Sequence, residues 1–269
     1  MKATVVPNRN AIFSSILYGY ALSIATKEDI DVIIALGVHS GDHAIYPDCR
    51  PEFYESLGES FAKGNWDSER ISFHLPYIDG DKETILKDAL ESCNKLDIDF
   101  DTIFRNTNTS YNPDAKGRSS GTSGADVERI LAFHAIGRED PVEYVKSWNE
   151  VLQGGLKAHL RFHVMKQNGT ERPFTGEYDK HFETGIYNCA DCGIALFESD
   201  SKFDSGCGWP AFSNESENAN IKQLIDTSHG MKRIEVRCSN CDSHLGHLFH
   251  EARGPRYCIN SICLEFQGE

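Results

Sequence analysis

The chain has 269 residues, of which 39% are hydrophobic and 25% are charged, and its formal net charge is −14. This length is enough for two domains of ordinary size. The acidic balance argues against a protein that neutralises many phosphates, so nucleic acid is not expected as a partner.

The compartment follows from the apolar runs and the cysteines. No stretch approaches the ~20 apolar residues that cross a bilayer, and the first residues, MKATVVPNRN, lack the apolar core of a signal peptide. The nine cysteines include two C-x-x-C pairs, which are typical of metal or redox chemistry in a reducing compartment. We therefore expect a cytoplasmic protein without membrane contact.

The first half of the chain alternates helix and strand patterns. Apolar spacing after Asn8 and Asn10, which can cap a helix, marks the first helix, and a continuous apolar run marks a strand buried on both faces. The alternation predicts a parallel α/β sheet. The predicted elements are helix 11–26, strand 31–38, a helix after Pro51, strand 71–77, a helix from Lys82 to about Leu96, and a helix from about Val127 to Ile136.

Composition changes near residue 146. Residues 147–168 have a largely helical pattern, and after TERPFTGEY short apolar runs alternate with Gly, Asn and Asp. These runs, GIYNC, ALFES, MKRIEVRC, HLFHE and CLEF, predict an antiparallel β domain. The sequence thus predicts an α/β plus mainly-β protein with domains at 1–146 and 147–269.

Four cysteines have the spacing of a structural metal site. Cys189 and Cys192 form one C-x-x-C turn, and Cys238 and Cys241 form the other. Two such turns suit the tetrahedral four-sulfur coordination of zinc, with no position left open for water. The alternative is a pair of redox motifs, but those usually start a helix in a βαβ unit, and these follow strand-like segments. Zinc is therefore the expected cofactor, in a structural role.

Two further cysteines lie in distinctive strings, Cys207 in GCGWPAF and Cys258 in RYCINS. Arg256 precedes Cys258, and His244 and His247 lie shortly upstream. Positive charge and hydrogen-bond donors near a sulfur lower its pKa and stabilise charge on a reacting oxygen. A lone cysteine is more often an inert buried side chain, but the surrounding string favours a reactive thiol here.

Residues from about 165 to 269 resemble methionine-R-sulfoxide reductase of the B type. The matching segments are, in chain order, NGTERPFTGEY, the paired C-x-x-C, KFDSGCGWPAFS, SHGMKRIEVRCSNCDSHLGHLFHE and RYCINS. The resemblance implies that Cys258 attacks the sulfoxide sulfur of methionine-R-sulfoxide and becomes a sulfenic acid. Cys207 would then form a disulfide with it, which a thioredoxin-like dithiol would reduce.

The same resemblance implies roles for the side chains around the two thiols. Trp209 would form a wall for the substrate methyl group. His244, His247 and Asn260 would donate hydrogen bonds or a proton toward the sulfoxide oxygen, and a structural role for either histidine stays open. Phe249 and Arg256 would shape the pocket.

The C-terminal half also departs from that family. The link from His247 to Cys258 is shorter than usual, and Glu251 stands where Asp is common, which puts the preference among peptides in question. The remaining cysteines, Cys49, Cys93 and Cys263, are expected to be structural.

The N-terminal half resembles 7-cyano-7-deazaguanine synthase through VPNRNAIFSSILYGYA and GVHSGDHAIYPDCRPEFYES, up to about residue 145. The resemblance implies an incomplete Rossmann-like domain. The SGGxDS phosphate loop of that family is not visible, so no cradle for a nucleotide is expected. A missing first strand would also expose a sheet edge.

Where that family has four zinc cysteines, this chain has Ser110, Ser120, Ser123 and Asp126, which cannot form a thiolate site. Both departures predict a domain without catalytic activity. A polar cluster after the first strand could still bind a purine-like ligand, although a solvated loop explains it as well. It contains His39, Asp42, His43, Tyr46, Asp48 and Arg50.

The leading hypothesis is a two-domain oxidoreductase that repairs methionine-R-sulfoxide in proteins or peptides. One alternative is a component of an ATP-dependent deazapurine synthesis or binding system, completed by a separate polypeptide. Another is a zinc-containing interaction module without turnover.

Overall fold

The structure is a computed structural model that describes residues 6–43, 46–217, 219, 221–252 and 254–268. Residues 1–5, which begin the segment tested for a signal peptide, lie outside these ranges. The chain divides into two compact units, Met1–Leu152 and Gln153–Glu269. Among the described residues, no helix combines the length and apolar character needed to cross a bilayer.

The first unit contains a parallel strand pair and helices. Its elements are α1 (Arg9–Glu28), β1 (Val32–Ala35), α2 (Pro51–Gly64), β2 (Ile71–His74), α3 (Lys82–Leu96), α4 (Phe100–Arg105), α5 (Gly124–Ala135), and short 3-10 helices at Ser40–Asp42, Pro47–Cys49 and Ser68–Arg70. β1 and β2 pair in parallel, as the alternation predicted. Two described strands do not establish a Rossmann-like sheet, so that part of the fold prediction is not confirmed.

Among the residues that the structure describes, the strand β1 is covered on one face only. Ile34 packs with Tyr18 and Ala21 of α1, whereas Ile33 is 67% exposed. The prediction of a strand buried on both faces is therefore wrong, because α1 covers one face and side chains alternate across a strand. Asn8 also makes no capping hydrogen bond, since its backbone is left-handed.

The second unit is built mainly from antiparallel strands. The helix α6 (Trp148–Gln167) leads into it and crosses the division between the units, and the predicted boundary at residue 146 lies just before this helix. The strands are β3 (Gly185–Cys189), β4 (Ala195–Glu198), β5 (Lys202–Phe203), β6 (Ala211–Phe212), β7 (Ile221–Asp226), β8 (Arg233–Cys238), β9 (His244–Glu251), β10 (Gly254–Ile259) and β11 (Leu264–Gly268), with short 3-10 helices at Ser199–Ser201, Ser228–Gly230 and Ser261–Cys263.

These strands form two sheets, in the orders β5-β6-β10-β9-β8-β7 and β11-β3-β4. All their pairings are antiparallel, which confirms the predicted antiparallel domain. Phe197 of the smaller sheet stacks on Phe212 of the larger one, with ring centroids 4.3 Å apart. Val164 and Met165 of α6 are buried in the same core. Burial of such side chains stabilises the unit by about 1.5–3 kcal/mol each.

Candidate active site and metal centre

The four cysteines of the predicted metal site converge at the ends of two strands from different sheets. Cys189 ends β3 and Cys238 ends β8. Each begins a tight turn that brings the second cysteine of its C-x-x-C pair close to the first. The Sγ atoms of Cys189 and Cys241 lie 3.7 Å apart, and those of Cys192 and Cys238 lie 3.6 Å apart. All four sulfur atoms are within 4.8 Å of one another.

These distances fit zinc. With Zn–S bonds of ~2.3 Å, the sulfur atoms of a regular tetrahedron are ~3.8 Å apart. Each turn also places a residue in the left-handed region directly after its second cysteine, Gly193 at φ 75° and Asp242 at φ 57°. Since the two turns have the same backbone form, they can present their sulfurs in equivalent ways.

A polar contact supports one of the two turns from outside the cysteines. Lys166 of α6 is 2.5 Å from Asp191, which lies between Cys189 and Cys192. Ser243 donates to the same carboxylate at 2.8 Å. The turn is thereby fixed to the helix and to the opposite turn.

The two thiols of the predicted redox pair are neighbours. Cys258 lies on β10, opposite Ala211 of β6, and Cys207 lies in the loop that precedes β6. Their Sγ atoms are 3.7 Å apart. A disulfide needs ~2.05 Å between sulfurs, so a small movement of the loop would join them.

Burial dominates the pKa of Cys258. Burial, followed by the neighbouring Cys207 sulfur, raises the pKa of Cys258 to about 12, against a smaller lowering by Arg256. The prediction that cationic neighbours give Cys258 a low pKa is wrong for this structure. Burial destabilises the thiolate by more than the charge of one arginine stabilises it. Arg256 is moreover engaged by Glu251, with Nε 2.7 Å from Oε1.

A pocket of about 160 Å³ opens beside Cys258. It brings together five residues predicted for the site and three that were not. The predicted ones are Trp209, His247, Phe249, Cys258 and Asn260, and the others are Thr170, Arg233 and Gly246. A hydrophobic wall and several hydrogen-bond donors thus surround one sulfur, an arrangement suited to a small polar group that carries an apolar substituent.

The two histidines differ in exposure to this pocket. His247 lines it and contacts Asp226, with Nε2 2.8 Å from Oδ2. His244 is 2% exposed, and its Nδ1 is 2.7 Å from Glu235. Burial, partly offset by Glu235, lowers the pKa of His244. His244 therefore supports the ring of His247, 5.5 Å away between centroids, from a buried position.

Glu171 connects two pocket residues through its backbone. Its N–H donates to Oδ1 of Asn260 at 3.1 Å, and its C=O accepts from Nε1 of Trp209 at 3.1 Å. Its buried carboxylate accepts the backbone N–H groups of Ser261 and Ile262. Asn260 also donates through Nδ2 to the carbonyl of Leu245 at 3.0 Å. The tryptophan and the amide are therefore held by one buried residue.

Phe249 and Arg256 are in contact at the edge of the site. The guanidinium carbon of Arg256 lies 4.6 Å from the centroid of the Phe249 ring. The two residues face each other in the pairing of β9 with β10. Arg256 thus contacts a residue that lines the pocket, and its charge lowers the pKa of Cys258.

The sequence did not point to the carboxylates Asp226, Glu235 and Glu171 or to Arg233. Glu235 and Arg233 are two residues apart on β8, so alternation along MKRIEVRC could have placed them on one face. Asp226 and Glu171 reach the site only through tertiary contacts. Cys263 is fully buried, and Cys49 and Cys93 are buried as well, as expected of structural cysteines.

In the first unit, a hydrogen-bond network joins the residues that stand where the resemblance to 7-cyano-7-deazaguanine synthase implies zinc cysteines. The hydroxyl groups of Ser110 and Ser120 donate to Oδ2 of Asp126 at 3.1 and 3.0 Å. The backbone N–H of Ser123 reaches the same oxygen at 3.3 Å. Asp126 is fully buried, so a carboxylate organises this group of side chains.

The polar cluster after β1 is partly held by its own contacts. His39 is 3.4 Å from Asp42 between Nε2 and Oδ2. Nε of Arg50 donates to the carbonyl of His43 at 2.8 Å, and Asp48 accepts the backbone N–H of residue 10 at 3.2 Å. Residues 44 and 45 lie outside the described ranges.

Two protein families match the chain. Residues 1–137 match the family described as queuosine biosynthesis protein QueC, and residues 158–268 match the SelR domain. The two matches lie on either side of the division between the compact units.

Curated relatives match the second region. A peptide methionine sulfoxide reductase MsrB of Chromohalobacter salexigens is 54% identical over 110 residues, which are 39% of this chain and 83% of the relative. A probable methionine-R-sulfoxide reductase B of Caenorhabditis elegans is 50% identical over 125 residues, 45% of this chain and 79% of the relative. An MsrB of Variovorax paradoxus is 45% identical over 131 residues, 47% of this chain and 96% of the relative.

Proposed function

The chain belongs to the SelR family of B-type methionine sulfoxide reductases through residues 158–268, and to the QueC family through residues 1–137; from this premise we propose that it reduces methionine-R-sulfoxide in proteins and peptides, and in free form. The observation that carries this proposal is the pair of thiols, Cys207 and Cys258, with Sγ atoms 3.7 Å apart beside a pocket that contains Trp209.

Cys258 is the nucleophile in this proposal. Its sulfur attacks the sulfoxide sulfur, the S–O bond breaks, and the oxygen passes to Cys258, which becomes a sulfenic acid while methionine leaves. The sulfoxide gains two electrons, and the thiol loses them. Since burial keeps Cys258 protonated, the thiol brings the proton that the reaction needs.

Cys207 is the resolving thiol. It attacks the sulfenic acid, a disulfide forms, and water leaves. A thioredoxin-like dithiol then restores both thiols by exchange. The nine cysteines are free in the structure, a state that fits the reducing cytoplasm in which we place the protein.

The pocket residues bind and orient the substrate. Trp209 and Phe249 provide apolar surface for the methyl group and side chain of the substrate. His247 and Asn260 face the same pocket as Cys258 and donate toward the oxygen. Because Asp226 engages Nε2 of His247, a proton that His247 passes to substrate leaves from Nδ1.

Zinc has a structural role in this proposal. Cys189, Cys192, Cys238 and Cys241 hold the ion, and four thiolates leave no position for a substrate. A bound ion would link the ends of β3 and β8, and so the two sheets.

Thioredoxin-coupled turnover of the two sulfoxide epimers, free and in peptides, tests the function. We expect reduction of the R epimer alone. Cys258→Ser should abolish turnover, and Cys207→Ser should allow a single turnover that leaves a sulfenic acid for dimedone to trap. Equal reduction of both epimers, or turnover by Cys258→Ser, would contradict the proposal, and reduction of neither epimer by a folded protein would favour the interaction module without turnover.

For residues 1–137 we propose a domain without deazapurine synthase activity. Serine hydroxyls and Asp126 occupy the positions of the zinc cysteines of the family it resembles. Metal analysis should therefore find one zinc per chain. Calorimetry with ATP and deazaguanine compounds should show no heat of binding, and a second zinc together with such heat would favour the deazapurine alternative.

A further inference from the structure

A second arginine, Arg233, lies in the wall of the pocket beside Cys258 and His247. Its Nη2 donates to Asp226 at 2.6 Å and to Ser228 at 3.2 Å. Its Nε is buried, and within the described ranges no group accepts a hydrogen bond from it. A buried guanidinium N–H without an acceptor is unfavourable, unless a ligand in the pocket supplies one.

The sheet register places the Arg233 side chain on the same face of the sheet as the Cys258 side chain. Cys258 lies opposite His247, and His247 lies opposite Glu235. Arg233 is two residues from Glu235 on β8, so its side chain lies on the same face as theirs. Asp226 is its direct neighbour on β7.

Asp226 holds two pocket groups with one oxygen. Its Oδ2 is 2.8 Å from Nε2 of His247 and 2.6 Å from Nη2 of Arg233. Hydrogen bonds from Ser228, and then those from His247 and Arg233, hold the pKa of Asp226 well below its usual range. The carboxylate therefore stays charged and fixes both side chains at neutral pH.

We propose that Arg233 is a substrate-binding residue whose Nε–H donates a hydrogen bond to the sulfoxide oxygen, and that Asp226 is a positioning residue for Arg233 and His247. This inference rests on the proposed function. Arg256 is less suited to the role, because its Nε already donates to Glu251.

The hydrogen bond strengthens as the reaction proceeds. Negative charge grows on the sulfoxide oxygen when Cys258 attacks the sulfur, and a cationic donor stabilises that charge more than it stabilises the bound substrate. Arg233 transfers no proton, and the oxygen still ends on Cys258. Loss of the donor should therefore lower kcat and leave KM little changed.

The test compares Arg233→Met with Lys232→Met, which removes an exposed cation from the adjacent position. In the R-epimer assay, we expect Arg233→Met to lower kcat about 10²- to 10³-fold, with KM within about threefold. Lys232→Met should match the unmodified protein. Arg233→Lys retains the charge but has no Nε–H, so its kcat should fall about tenfold.

A second measurement separates substrate binding from a structural role. Alkylation of Cys258 by iodoacetamide involves no sulfoxide oxygen. In a Cys207→Ser background, the alkylation rate should therefore be the same, within about twofold, with and without Arg233→Met. Asp226→Asn should lower kcat without changing this rate. A structural role would instead change alkylation and turnover in proportion, and that result would overturn the inference.

The outcomes distinguish this inference from the function on which it rests. If the unmodified protein reduces the R epimer while Arg233→Met or Arg233→Lys keeps kcat within twofold, only the inference is wrong. If the unmodified protein reduces neither epimer, both fail. Should Arg233→Met not fold, the expected tenfold loss in Arg233→Lys still decides the question.

Discussion

At Cys258, burial and charge act on the thiol in opposite directions. Burial and the adjacent Cys207 raise its pKa to about 12, and the nearby Arg256 lowers it by less. The free protein therefore holds a thiol rather than a thiolate at neutral pH. A thiol reacts with oxidants more slowly than a thiolate does.

The raised pKa makes a prediction for reactivity against pH. The thiolate fraction of Cys258 grows tenfold with each pH unit below the pKa, so iodoacetamide alkylation in Cys207→Ser should rise steadily from pH 7 to 10. Peptide mass spectrometry would report the rate at Cys258 alone. A plateau below pH 9 would show that a cation, and not burial, controls this thiol.

Glu171 should stabilise the second unit through its buried carboxylate. In Glu171→Ala, the backbone N–H groups of Ser261 and Ile262 lose their acceptor, at a cost of about 2–5 kcal/mol. Thermal unfolding would measure the loss. The matched control is Glu177→Ala, because the Glu177 side chain is 64% exposed and its removal should change stability by less than ~0.5 kcal/mol. Equal effects would mean that the two N–H groups find other partners.

Among the elements, β3 and β8 end in the two cysteine turns, and a zinc ion held by these turns would contribute folding free energy directly. Structural zinc provides about 10–16 kcal/mol at pH 7, comparable to the whole stability of a domain. Chelation or Cys238→Ser should therefore unfold residues 147–269 rather than only slow turnover. Near-UV circular dichroism with metal analysis would detect this. The control, Cys93→Ala in the first unit, should keep the zinc, and a folded, active metal-free protein would contradict the expectation.

The close approach of β9 to β10 requires a glycine at position 246. A Cβ there would overlap the carbonyl oxygen of Cys258, so Gly246→Ala should push the strands apart and displace the reactive thiol. We expect kcat to fall at least tenfold, since small misplacements of reacting groups are costly. Gly154→Ala is the control, because Gly154 lies in α6 with open space around its Cβ position, and alanine there should stabilise by up to ~1 kcal/mol. Full activity in Gly246→Ala would contradict the overlap.

For the molecule as a whole, the position of α6 determines which fragment of the chain can fold on its own. It begins at Trp148, after Ser147, whose hydroxyl and backbone N–H contact Glu150 as an N-cap, and its far end buries Val164 and Met165 in the second unit. A fragment of residues 147–269 should therefore keep kcat/KM within about threefold. A fragment of 153–269 loses the cap and the first turn, and should unfold at a lower temperature. An inactive 147–269 fragment would show that the first unit takes part in the reaction.

Much of the fold could be predicted because its signals are local. Helical spacing and Pro51 identified α1, α2, α3 and α6, and the alternating runs of the second half identified five of its strands. The open face of β1 could not be predicted, since an apolar run does not say how many layers cover it. His244 and His247 are three residues apart, which would place them on opposite faces of a regular strand. An irregularity in the pairing of β8 with β9 instead brings the rings together.

The atoms that we propose carry the chemistry could be identified from the sequence, namely the two thiols, the tryptophan near them and four cysteines at C-x-x-C spacing. Residue types and their spacing are set by the covalent chain, and short turns bring residues at such spacing close together. The electrostatics could be seen only in the folded chain, namely the raised pKa of Cys258, the pairing of Asp226 with His247 and Arg233, and the buried Nε of Arg233, which has no acceptor among the described residues. Desolvation and charge pairing depend on groups that are distant along the chain, and only folding brings those groups within a few ångströms of one another.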